Sequence, residues 1–411
     1  MEYGLIGKPL GHSFSAQIHP KLFDCKYELK EIEPQDLAGF LEKRDFKGIN
    51  VTIPYKSEVI GHLDFVDENA KKIGAVNTIV NKDGRLYGYN TDFSGLKMLI
   101  TSNGVSLKDK NVLILGSGAT SKTATAAARD MGAKIVTLFS RRKLPGFETY
   151  ENIGKYHDTA EVIINTTPVG MYPDICKSAI SLDGFKKLNA VFDVVYNPIR
   201  TKLIVDAKKR GIIADGGMKM LVFQALYAAR LFSGHDFSDE KGFEIVGDMQ
   251  KSKENIVFIG MPSSGKSTIG KRIAKALGRE FSDTDDEITK VYGKTPKEII
   301  NSSGEATFRK YETAVIKGIS KKQGLVIATG GGAVEREINI DLLKENGKLV
   351  FLDRTLDFLS ADGSRPLSST KEKLEEIYKR RLPLYKKYAD ITVSGGWSLK
   401  KTLNSVLEMI I

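Results

Sequence analysis

The stretch "IVFIGMPSSGKSTIG", residues 256–270, joins an apolar run to a glycine-rich turn and then to a helical pattern. It satisfies G-x-x-x-x-G-K-[ST], in which backbone N–H groups cradle phosphates, the lysine neutralises their charge and the hydroxyl holds Mg²⁺. The apolar run before the loop and the apolar residues spaced four apart behind it predict the strand and helix that a P-loop requires. The predicted ATP and Mg²⁺ contacts are Gly260, Ser264, Gly265, Lys266, Ser267 and Thr268.

The part of the chain that precedes this loop is long enough to fold separately. At 411 residues the chain exceeds one ordinary hydrophobic core, so roughly two to three domains are expected. In this first part, "NVLILGSGATSKTATAAARDMGAKIVTLFSRR" (111–142) shows an apolar strand, a glycine turn, an alanine-rich helix and a second strand. This order is typical of the first βαβ unit of a dinucleotide-binding fold.

The end of the second strand in this unit indicates which dinucleotide binds. A site for NAD places Asp or Glu there to hold the ribose hydroxyls, whereas this chain has "SRR". Two guanidinium groups suit a 2′-phosphate, so the predicted cofactor is NADP(H), and exposed surface arginines are the alternative interpretation. The predicted contacts are Gly116, Ser117, Gly118, Ala119, Ser140, Arg141 and Arg142.

The composition is typical of a soluble globular protein. Hydrophobic residues make up 41% and charged residues 27% of the chain, and no apolar run is long enough to cross a membrane. The net charge of +11 comes from basic residues scattered among acidic ones, which argues against a nucleic-acid arm and suits small anionic ligands. Cys25 and Cys176 predict neither a disulfide framework nor a zinc site. We expect a cytoplasmic protein with small-molecule substrates and without nucleic-acid or membrane partners; the oligomeric state is open.

A series of motifs in the first part of the chain resembles, in order and spacing, that of shikimate dehydrogenases. The motifs are "GKPLGHSFSAQIHP" (7–20), "GINVTIPYK" (48–56), "GAVNTIV" (74–80), "GYNTD" (88–92), "INTTPVGM" (164–171), "DVVYNP" (193–198) and "GGMKMLVFQA" (216–225). The resemblance spans nearly all of residues 1–240 and implies contacts to a substrate carboxylate and to ring hydroxyls, together with a catalytic pair. By position, the carboxylate contacts are Ser13 and Ser15, the hydroxyl contacts are Thr52, Asn77 and Gln224, and the pair is Lys56 and Asp92.

The chemistry of Lys56 and Asp92 agrees with that implied role. Hydride transfer to a ketone leaves an alkoxide, which a positioned ammonium group can protonate and a nearby carboxylate can help to orient. Taken singly, a lysine or an aspartate is far more often an exposed charge than a catalytic group. His12 and His19 are interpreted as structural residues.

The region from 255 to about 395 resembles shikimate kinases. Besides the P-loop, the motifs are "FSDTDDEI" (281–288), "GEATFRKYE" (304–312), "TGGGAV" (329–334), "SRPL" (364–367) and "RRLPLYKKYAD" (380–390). The resemblance implies arginines that hold an anionic acceptor, an aspartate that orients its hydroxyls, and a lid arginine that reaches the ATP phosphates. Residue by residue, the implied shikimate contacts are Asp285, Arg309, Gly330, Gly331, Gly332 and Arg381, the Mg²⁺ contacts are Ser267 and Asp283, and the catalytic residues are Lys266, Asp285 and Arg365.

Two points in this region stay open at the level of sequence. Arg309 and Glu312 are three residues apart, so an ion pair on the helix surface is an alternative to a substrate contact. The segment "SADG" (360–363) is shorter than the lid of the family, which leaves the mode of adenine binding undecided.

The predicted fold class is α/β throughout. The predicted parts are a two-lobed shikimate-dehydrogenase unit over 1–245, made of a substrate lobe (1–103 and 216–245) and an NADP-binding Rossmann lobe (104–215), a polar linker over 246–254, and a P-loop domain over 255–411 that is similar to nucleoside monophosphate kinases.

The function implied by both resemblances is a bifunctional enzyme that reduces 3-dehydroshikimate and phosphorylates shikimate. One alternative is a quinate or aminoshikimate-type dehydrogenase fused to a different small-molecule kinase. Another makes the C-terminal half an ATP-sensing regulatory module. Asp285, Arg309 and Arg381 argue against both, because a sensor needs no acceptor pocket.

Overall fold

The computed structural model describes residues 1–11, 13–359, 370–394 and 398–410. They form two compact units. The first comprises Met1–Met171, Lys177–Asn197 and Asp206–Met249, and the second comprises Tyr172–Cys176, Pro198–Val205 and Gln250–Ile411. Within the described ranges, no helix has both the length and the apolar character that crossing a membrane requires.

The first unit begins with a mixed six-stranded sheet. Its elements are β1 (Tyr3–Gly7), α1 (Ser15–Leu22), β2 (Tyr27–Glu31), α2 (Leu37–Lys43), β3 (Gly48–Val51), β4 (Phe65–Val66), α3 (Glu68–Ile73), β5 (Thr78–Lys82), β6 (Arg85–Tyr89) and α4 (Thr91–Thr101). The strand order is β2-β1-β3-β5-β6-β4, with β1 parallel to β2 and β3, and β5 antiparallel to β3 and β6. Ile6, Ile49 and Ile79 are fully buried in its core.

A second sheet of six parallel strands follows in the same unit. Its elements are β7 (Asn111–Leu115), α5 (Ala119–Asp130), β8 (Ile135–Ser140), β9 (Glu148–Thr149), β10 (Val162–Asn165), β11 (Ala190–Asp193), α6 (Lys202–Lys209) and β12 (Ile213–Asp215), followed by α7 (Met218–Ser233) and α8 (Asp239–Lys253). The first residues of α6, up to Val205, and the last residues of α8, from Gln250, are assigned to the second unit. The strand order is β12-β11-β10-β7-β8-β9, so the chain starts at β7, runs outward to β9 and returns to the other side of β7. Such a reversal places a nucleotide site at the carboxyl ends of β7 and β10. The predicted Rossmann fold is confirmed.

Helices α7 and α8 pack with α1 in one apolar cluster. The sequence predicts a linker over residues 246–254, but α8 covers nearly all of it. Helix α8 is mostly polar, but Gly242 and the apolar residues Ile245, Val246 and Met249 are buried, and their spacing forms one helical face. The segment is therefore helical, because that face is buried against α7 while the charged residues stay in solvent.

The second unit contains a parallel five-stranded sheet. Its elements are β13 (Asn255–Ile259), α9 (Lys266–Leu277), β14 (Phe281–Asp283), α10 (Thr284–Tyr292), α11 (Pro296–Ser320), β15 (Val326–Ala328), α12 (Glu337–Asn346), β16 (Gly347–Asp353), α13 (Lys371–Tyr388), β17 (Ile391–Ser394) and α14 (Leu399–Ile410). The strand order β14-β15-β13-β16-β17 puts β13 at the centre. The predicted P-loop kinase fold is confirmed, with the phosphate loop on the central strand.

Two short segments from earlier in the chain also belong to this second unit. Ile175 lies in its apolar core together with residues of β13 and β16. Arg200 donates hydrogen bonds to the carbonyl oxygens of Lys344 (2.8 Å) and Gly347 (2.9 Å) and forms an ion pair with Glu254 (2.7 Å). The second unit is therefore discontinuous in sequence.

Candidate active sites

Lys56 and Asp92 form an ion pair in the first unit. Lys56 follows β3 by a short turn, and Asp92 lies in the first turn of α4. The Lys56 Nζ lies 2.6 Å from the Asp92 Oδ2, and the two side chains are 13% and 11% exposed. Asn90 caps α4 by accepting a hydrogen bond from the Phe93 N–H (3.1 Å), which fixes the start of the helix and so the position of Asp92. The structure thus brings the predicted catalytic pair into direct contact.

Asn77 directly precedes β5 and contacts Gln224 on helix α7. Its side-chain amide donates to the Thr91 Oγ1 (3.0 Å) and to the Gln224 Oε1 (3.5 Å). Its Oδ1 accepts from the Thr91 N–H (2.7 Å), and the preceding N–H, of Val76, donates to the Lys56 carbonyl oxygen (2.7 Å). Two predicted hydroxyl contacts, Asn77 and Gln224, are therefore adjacent. The motif analysis missed Thr91, which lies inside "GYNTD" and is a buried polar residue.

The other predicted substrate contacts lie at the start of α1 and directly after β3. The Ser13 Oγ donates to the Ser15 Oγ (3.2 Å) at the start of α1. The Thr52 N–H donates to the Ile6 carbonyl oxygen (2.9 Å), and a Cβ added at Gly7 would come within 2.4 Å of the Thr52 methyl group. Two neighbouring serine hydroxyls can each donate to one oxygen of a carboxylate, which fits the implied role of Ser13 and Ser15.

His19 is a buried residue of the same lobe. Its side chain is fully buried, and its ring stacks on that of Tyr27 at a centroid distance of 4.1 Å. Burial lowers the pKa of His19 to about 3, so the imidazole is neutral near pH 7. These contacts fit the interpretation of His19 as structural, while His12 lies outside the described residues.

We expect acid to destabilise the first unit through His19. Because its pKa is 6.5 in the unfolded chain and about 3 in the folded one, only the unfolded state takes up a proton as the pH falls below 6.5. The free energy of unfolding should fall by about 1.4 kcal/mol between pH 7.5 and pH 5.5 from this group. Urea titrations of the wild type and of His19→Leu at both pH values measure the effect, and equal losses in the two proteins would contradict it.

The glycine turn after β7 lies at the switch point of the Rossmann sheet. Gly116 has φ +119°, and a Cβ there would lie 2.6 Å from the Thr166 Oγ1, which follows β10. Ser117 and Gly118 are exposed, and Ala119 begins α5. The amide groups at the start of a helix bind anions, so this turn is suited to a pyrophosphate.

The predicted 2′-phosphate contacts lie at the end of β8. Ser140 is buried, and its Oγ accepts a hydrogen bond from the Arg142 N–H (3.1 Å). Arg141 and Arg142 are exposed. The hydrogen bond from Arg142 to Ser140 stabilises the turn on which both arginines lie. This turn follows β8, which is the neighbour of β7, the strand that leads to the glycine turn.

We expect Arg141→Ala and Arg142→Ala to reduce the preference for NADPH over NADH. A charge-assisted hydrogen bond to the 2′-phosphate is worth about 1.5 to 3 kcal/mol, so kcat/KM with NADPH should fall about ten- to a hundredfold. Reactions with NADH, which lacks this phosphate, should change little. Lys143→Ala removes the next cation along the chain and is the matched control. An unchanged ratio in both arginine variants would show that the phosphate lies elsewhere.

The P-loop bends sharply between β13 and α9. Gly260, Ser263 and Gly265 all have positive φ, of 147°, 62° and 93°. Lys266 is the first residue of α9 and is buried. Its Nζ donates to the carbonyl oxygens of Gly260 (2.9 Å) and Met261 (2.8 Å). The ammonium group is therefore held over the loop in which the phosphates are predicted to bind.

Ser267 and Asp283 converge beside this loop. The Ser267 Oγ lies 2.6 Å from the Asp283 Oδ2, and the other Asp283 oxygen caps α10 by accepting from the Asp285 N–H (3.0 Å). Thr268 is exposed in the same helical turn, and Ser264 is buried in the loop. A hydroxyl and one carboxylate fit Mg²⁺, which takes few protein oxygens and fills its other positions with water and phosphate.

Arg309 on α11 is held by carboxylates of its own helix. Its guanidinium donates to both Glu312 oxygens (3.1 and 2.9 Å) and to the Glu305 Oε1 (3.0 Å). The Arg309–Glu312 ion pair that the sequence left open as an alternative is present. It does not lie on the helix surface, because the Glu312 side chain is 0% exposed. Burial raises the pKa of Glu312, and the nearby Arg309 acts in the opposite direction. Glu312 therefore fixes the orientation of Arg309.

Arg381 on α13 meets Arg309 at a single carboxylate. Arg381 is 1% exposed and donates to the Glu335 Oε2 (2.8 Å), which lies 3.4 Å from the Arg309 Nη2. Arg380 contacts the other Glu335 oxygen (2.7 Å). The structure thus brings the two predicted carboxylate-binding arginines together. Glu335 is a site residue that the sequence analysis missed.

The three glycines after β15 allow this close packing. A Cβ on Gly330 would lie 3.0 Å from the Asp285 Oδ1, and one on Gly331 would lie 2.8 Å from the proline ring of the P-loop. A Cβ on Gly332 would lie 2.1 Å from the guanidinium of Arg309. A larger residue at these positions would clash with the side chains around the segment. The three glycines therefore let the P-loop and the predicted acceptor site pack against the same stretch of backbone.

The region predicted to hold adenine is only partly described. Arg365, the predicted lid arginine, lies outside the described residues. A cleft of about 410 Å³, counted with its open mouth, lies beside the P-loop; it is lined by Ser264, Gly265, Ile269, Leu352, Asp353, Arg354, Val393, Leu399 and Thr402. Arg354 gives this cleft a cationic side chain next to the phosphate loop.

Comparisons with known proteins identify both parts of the chain. The family model of the shikimate dehydrogenase substrate binding domain matches residues 5–79, and that of shikimate kinase matches residues 262–411. The NADP(+) shikimate dehydrogenase of Clostridium beijerinckii is 39% identical over 248 residues, which is 56% of this chain and 91% of that protein. The corresponding enzyme of Methanosphaera stadtmanae is 38% identical over 257 residues, 56% of this chain and 90% of that protein.

Solved structures agree with these matches. A chorismate mutase/shikimate 5-dehydrogenase fusion protein from Clostridium acetobutylicum has a TM-score of 0.58 and 31% identity, and the match covers 61% of this chain and 97% of that one. Shikimate 5-dehydrogenase from Thermus thermophilus, in complex with NADP(H) and shikimate, has a TM-score of 0.55 and 28% identity over 60% of this chain and 99% of that one. The chain therefore belongs to the shikimate dehydrogenase family, and it continues into a shikimate kinase domain.

Proposed function

We propose that this chain catalyses two reactions of the shikimate pathway, the NADPH-dependent reduction of 3-dehydroshikimate and the phosphorylation of shikimate by ATP and Mg²⁺. The proposal depends mainly on one observation, that each unit brings together the side chains its reaction needs. Lys56 and Asp92 form an ion pair in the first unit, and Arg309 and Arg381 contact the same carboxylate oxygen in the second. The ketone reduced by the first site becomes the hydroxyl phosphorylated by the second. This shared oxygen gives a chemical reason for joining the two enzymes.

In the reduction, bound NADPH supplies a hydride to the ketone carbon. Negative charge then develops on the ketone oxygen, and the Lys56 Nζ donates a proton to it. Asp92, at 2.6 Å, orients the ammonium group. Asn77 and Gln224 hold the ring hydroxyls and so aim the ketone at Lys56. Because the ion pair is mostly buried, its electrostatic effect is stronger than it would be in water.

In the phosphorylation, ATP with Mg²⁺ supplies the phosphoryl group. Lys266 neutralises charge on the phosphates, while Ser267 and Asp283 hold the metal ion. Asp285 orients the attacking hydroxyl and accepts its proton as the new O–P bond forms, while the bond between the γ-phosphorus and the bridging oxygen breaks and ADP leaves. Phosphoryl transfer depends mainly on positioning and on charge neutralisation, so the arginines that hold the acceptor carboxylate contribute by fixing its approach.

The alternative of an ATP-sensing module explains less of the second unit. A sensor requires the P-loop and the metal ligands but no second anion site. Arg381 is 1% exposed and Arg309 is partly buried, and both contact the same Glu335 oxygen. Two guanidinium groups from different helices that converge on one carboxylate form an anion site, which an anionic acceptor requires and an ATP sensor does not.

The proposal is tested by supplying 3-dehydroshikimate, NADPH, ATP and MgCl₂ together. Nicotinamide absorbance should fall and shikimate 3-phosphate should appear, with its formation following that of shikimate. Chelation of Mg²⁺ should stop only the phosphorylation, and quinate and ATP analogues serve as specificity controls. Reduction without phosphorylation would leave the sensor alternative in place of the kinase, and neither signal would refute both assignments.

A further inference from the structure

The acceptor site of the second unit already contains a carboxylate of the chain itself. The Glu335 Oε2 lies 2.8 Å from the Arg381 Nη2 and 3.4 Å from the Arg309 Nη2. These are the two guanidinium groups that the proposed function assigns to the substrate carboxylate. Glu335 is the last residue of a short helical turn, Ala333–Glu335, which directly follows the three-glycine segment. An internal carboxylate thus occupies the position between both arginines.

Glu335 is charged in this position. Burial by itself raises the pKa of its carboxyl group, but Arg381, Arg309 and Arg380 together bring that pKa below its ordinary value. The side chain is 19% exposed, so it lies near the surface of the cluster. A charged carboxylate there competes directly with any anion that needs the same two guanidinium groups.

Arg309 does not need Glu335 to keep its orientation. Glu312 accepts two hydrogen bonds from it, and Glu305 accepts two more. Glu335 contacts it only at 3.4 Å. The role of Glu335 is therefore different from that of a residue that simply orients the arginine.

Arg380 is a second cationic partner of Glu335, on the solvent side of the cluster. The Arg380 Nε lies 2.7 Å from the Glu335 Oε1, and the Arg380 side chain is 53% exposed. If Glu335 turned toward Arg380 and solvent, it would stay paired while leaving Arg309 and Arg381 to an incoming anion. Such a turn would free Arg381 from the Glu335 oxygen that contacts it here, while Glu305 and Glu312 would continue to hold Arg309.

We propose that Glu335 is an internal competitor of the acceptor carboxylate, which sets the affinity of the kinase site by occupying Arg309 and Arg381 until the substrate displaces it toward Arg380. This inference rests on the proposed kinase function and adds a residue that determines affinity. The apparent affinity of a site is proportional to the fraction of molecules in which the site is open, so it falls as that fraction falls. Removing the competitor therefore strengthens binding, whereas removing an ordinary binding residue weakens it.

The test is Glu335→Gln, which keeps the shape and removes the charge. The KM for shikimate at saturating ATP should fall about three- to tenfold, while kcat and the KM for ATP stay near the wild-type values. Calorimetric titration with shikimate alone should show the same gain in affinity. Glu305→Gln is the matched control, because it removes a carboxylate that contacts Arg309 but lies outside the shared position, and its effect on KM should be smaller.

Arg380→Ala gives an independent measurement. Without its outer partner, Glu335 should compete more strongly, so the KM for shikimate should rise. In the double variant Glu335→Gln/Arg380→Ala that rise should disappear. An active wild type whose KM is unchanged or raised by Glu335→Gln would overturn the inference alone, and so would an Arg380→Ala effect that persists in the double variant. A wild type without ATP-dependent phosphorylation of shikimate would overturn the proposed kinase function as well.

Discussion

Lys56→Ala should lower the kcat for reduction of 3-dehydroshikimate about a hundred- to ten-thousandfold, the range typical of a lost general acid. The Lys56 Nζ is the proton donor in the proposed reaction, and Asp92 holds it at 2.6 Å. Its loss also leaves a mostly buried carboxylate without its cation. The effect should therefore exceed that of removing any single hydroxyl contact.

The same variant should phosphorylate added shikimate at the wild-type rate, because its substitution lies in the other unit. Steady-state assays of both reactions on one preparation give the comparison. Lys71→Ala, which removes an exposed lysine of α3, is the matched control and should leave both rates unchanged. A folded Lys56→Ala protein with wild-type reductase activity would remove Lys56 from the mechanism.

Lys266→Ala should produce the opposite pattern, with phosphorylation reduced about a hundred- to a thousandfold and reduction unaffected. The buried ammonium group bonds to two carbonyl oxygens of its own loop. It is therefore already positioned over the phosphate site before any nucleotide binds, so its loss removes a preorganised charge as well as a contact.

Phosphate transfer from ATP to added shikimate and NADPH oxidation are measured on the same preparation. Lys271→Ala, at an exposed position of α9, controls for the loss of positive charge from this helix. Simultaneous loss of both activities in a folded Lys266→Ala protein would refute the model of two independent sites. Retained kinase activity would show that phosphate binding does not depend on this lysine.

The parts of the structure that the sequence predicted well depend on local patterns. The phosphate loop lies within residues 260–267, and its strand and helix follow directly from the apolar spacing on either side. The Rossmann turn at Gly116 is similarly local. A motif of this kind carries its own backbone geometry, because positive φ and the lack of a side chain are properties of the glycines themselves.

Other parts could not be predicted because they depend on contacts between distant segments. Glu312 is three residues from Arg309, and that spacing is the same on a buried and on an exposed helical face. Its burial follows from what packs over α11. Glu335 resembles any polar residue after a loop, and its environment is created by Arg309 and Arg381, which lie on different helices. The second half of α8 was predicted to be a linker (246–254), because charged residues outnumber buried ones in its composition.

The discontinuity of the second unit affects the order in which its parts are made. Synthesis proceeds from the N-terminus, so Tyr172–Cys176 and Pro198–Val205 leave the ribosome before any strand of the sheet to which they belong. Ile175 therefore stays without its core partners, and Arg200 without its carbonyl acceptors, until β13 and β16 have been made. A gene fragment that begins at β13 would encode the phosphate loop and the acceptor site but would lack both of these early segments.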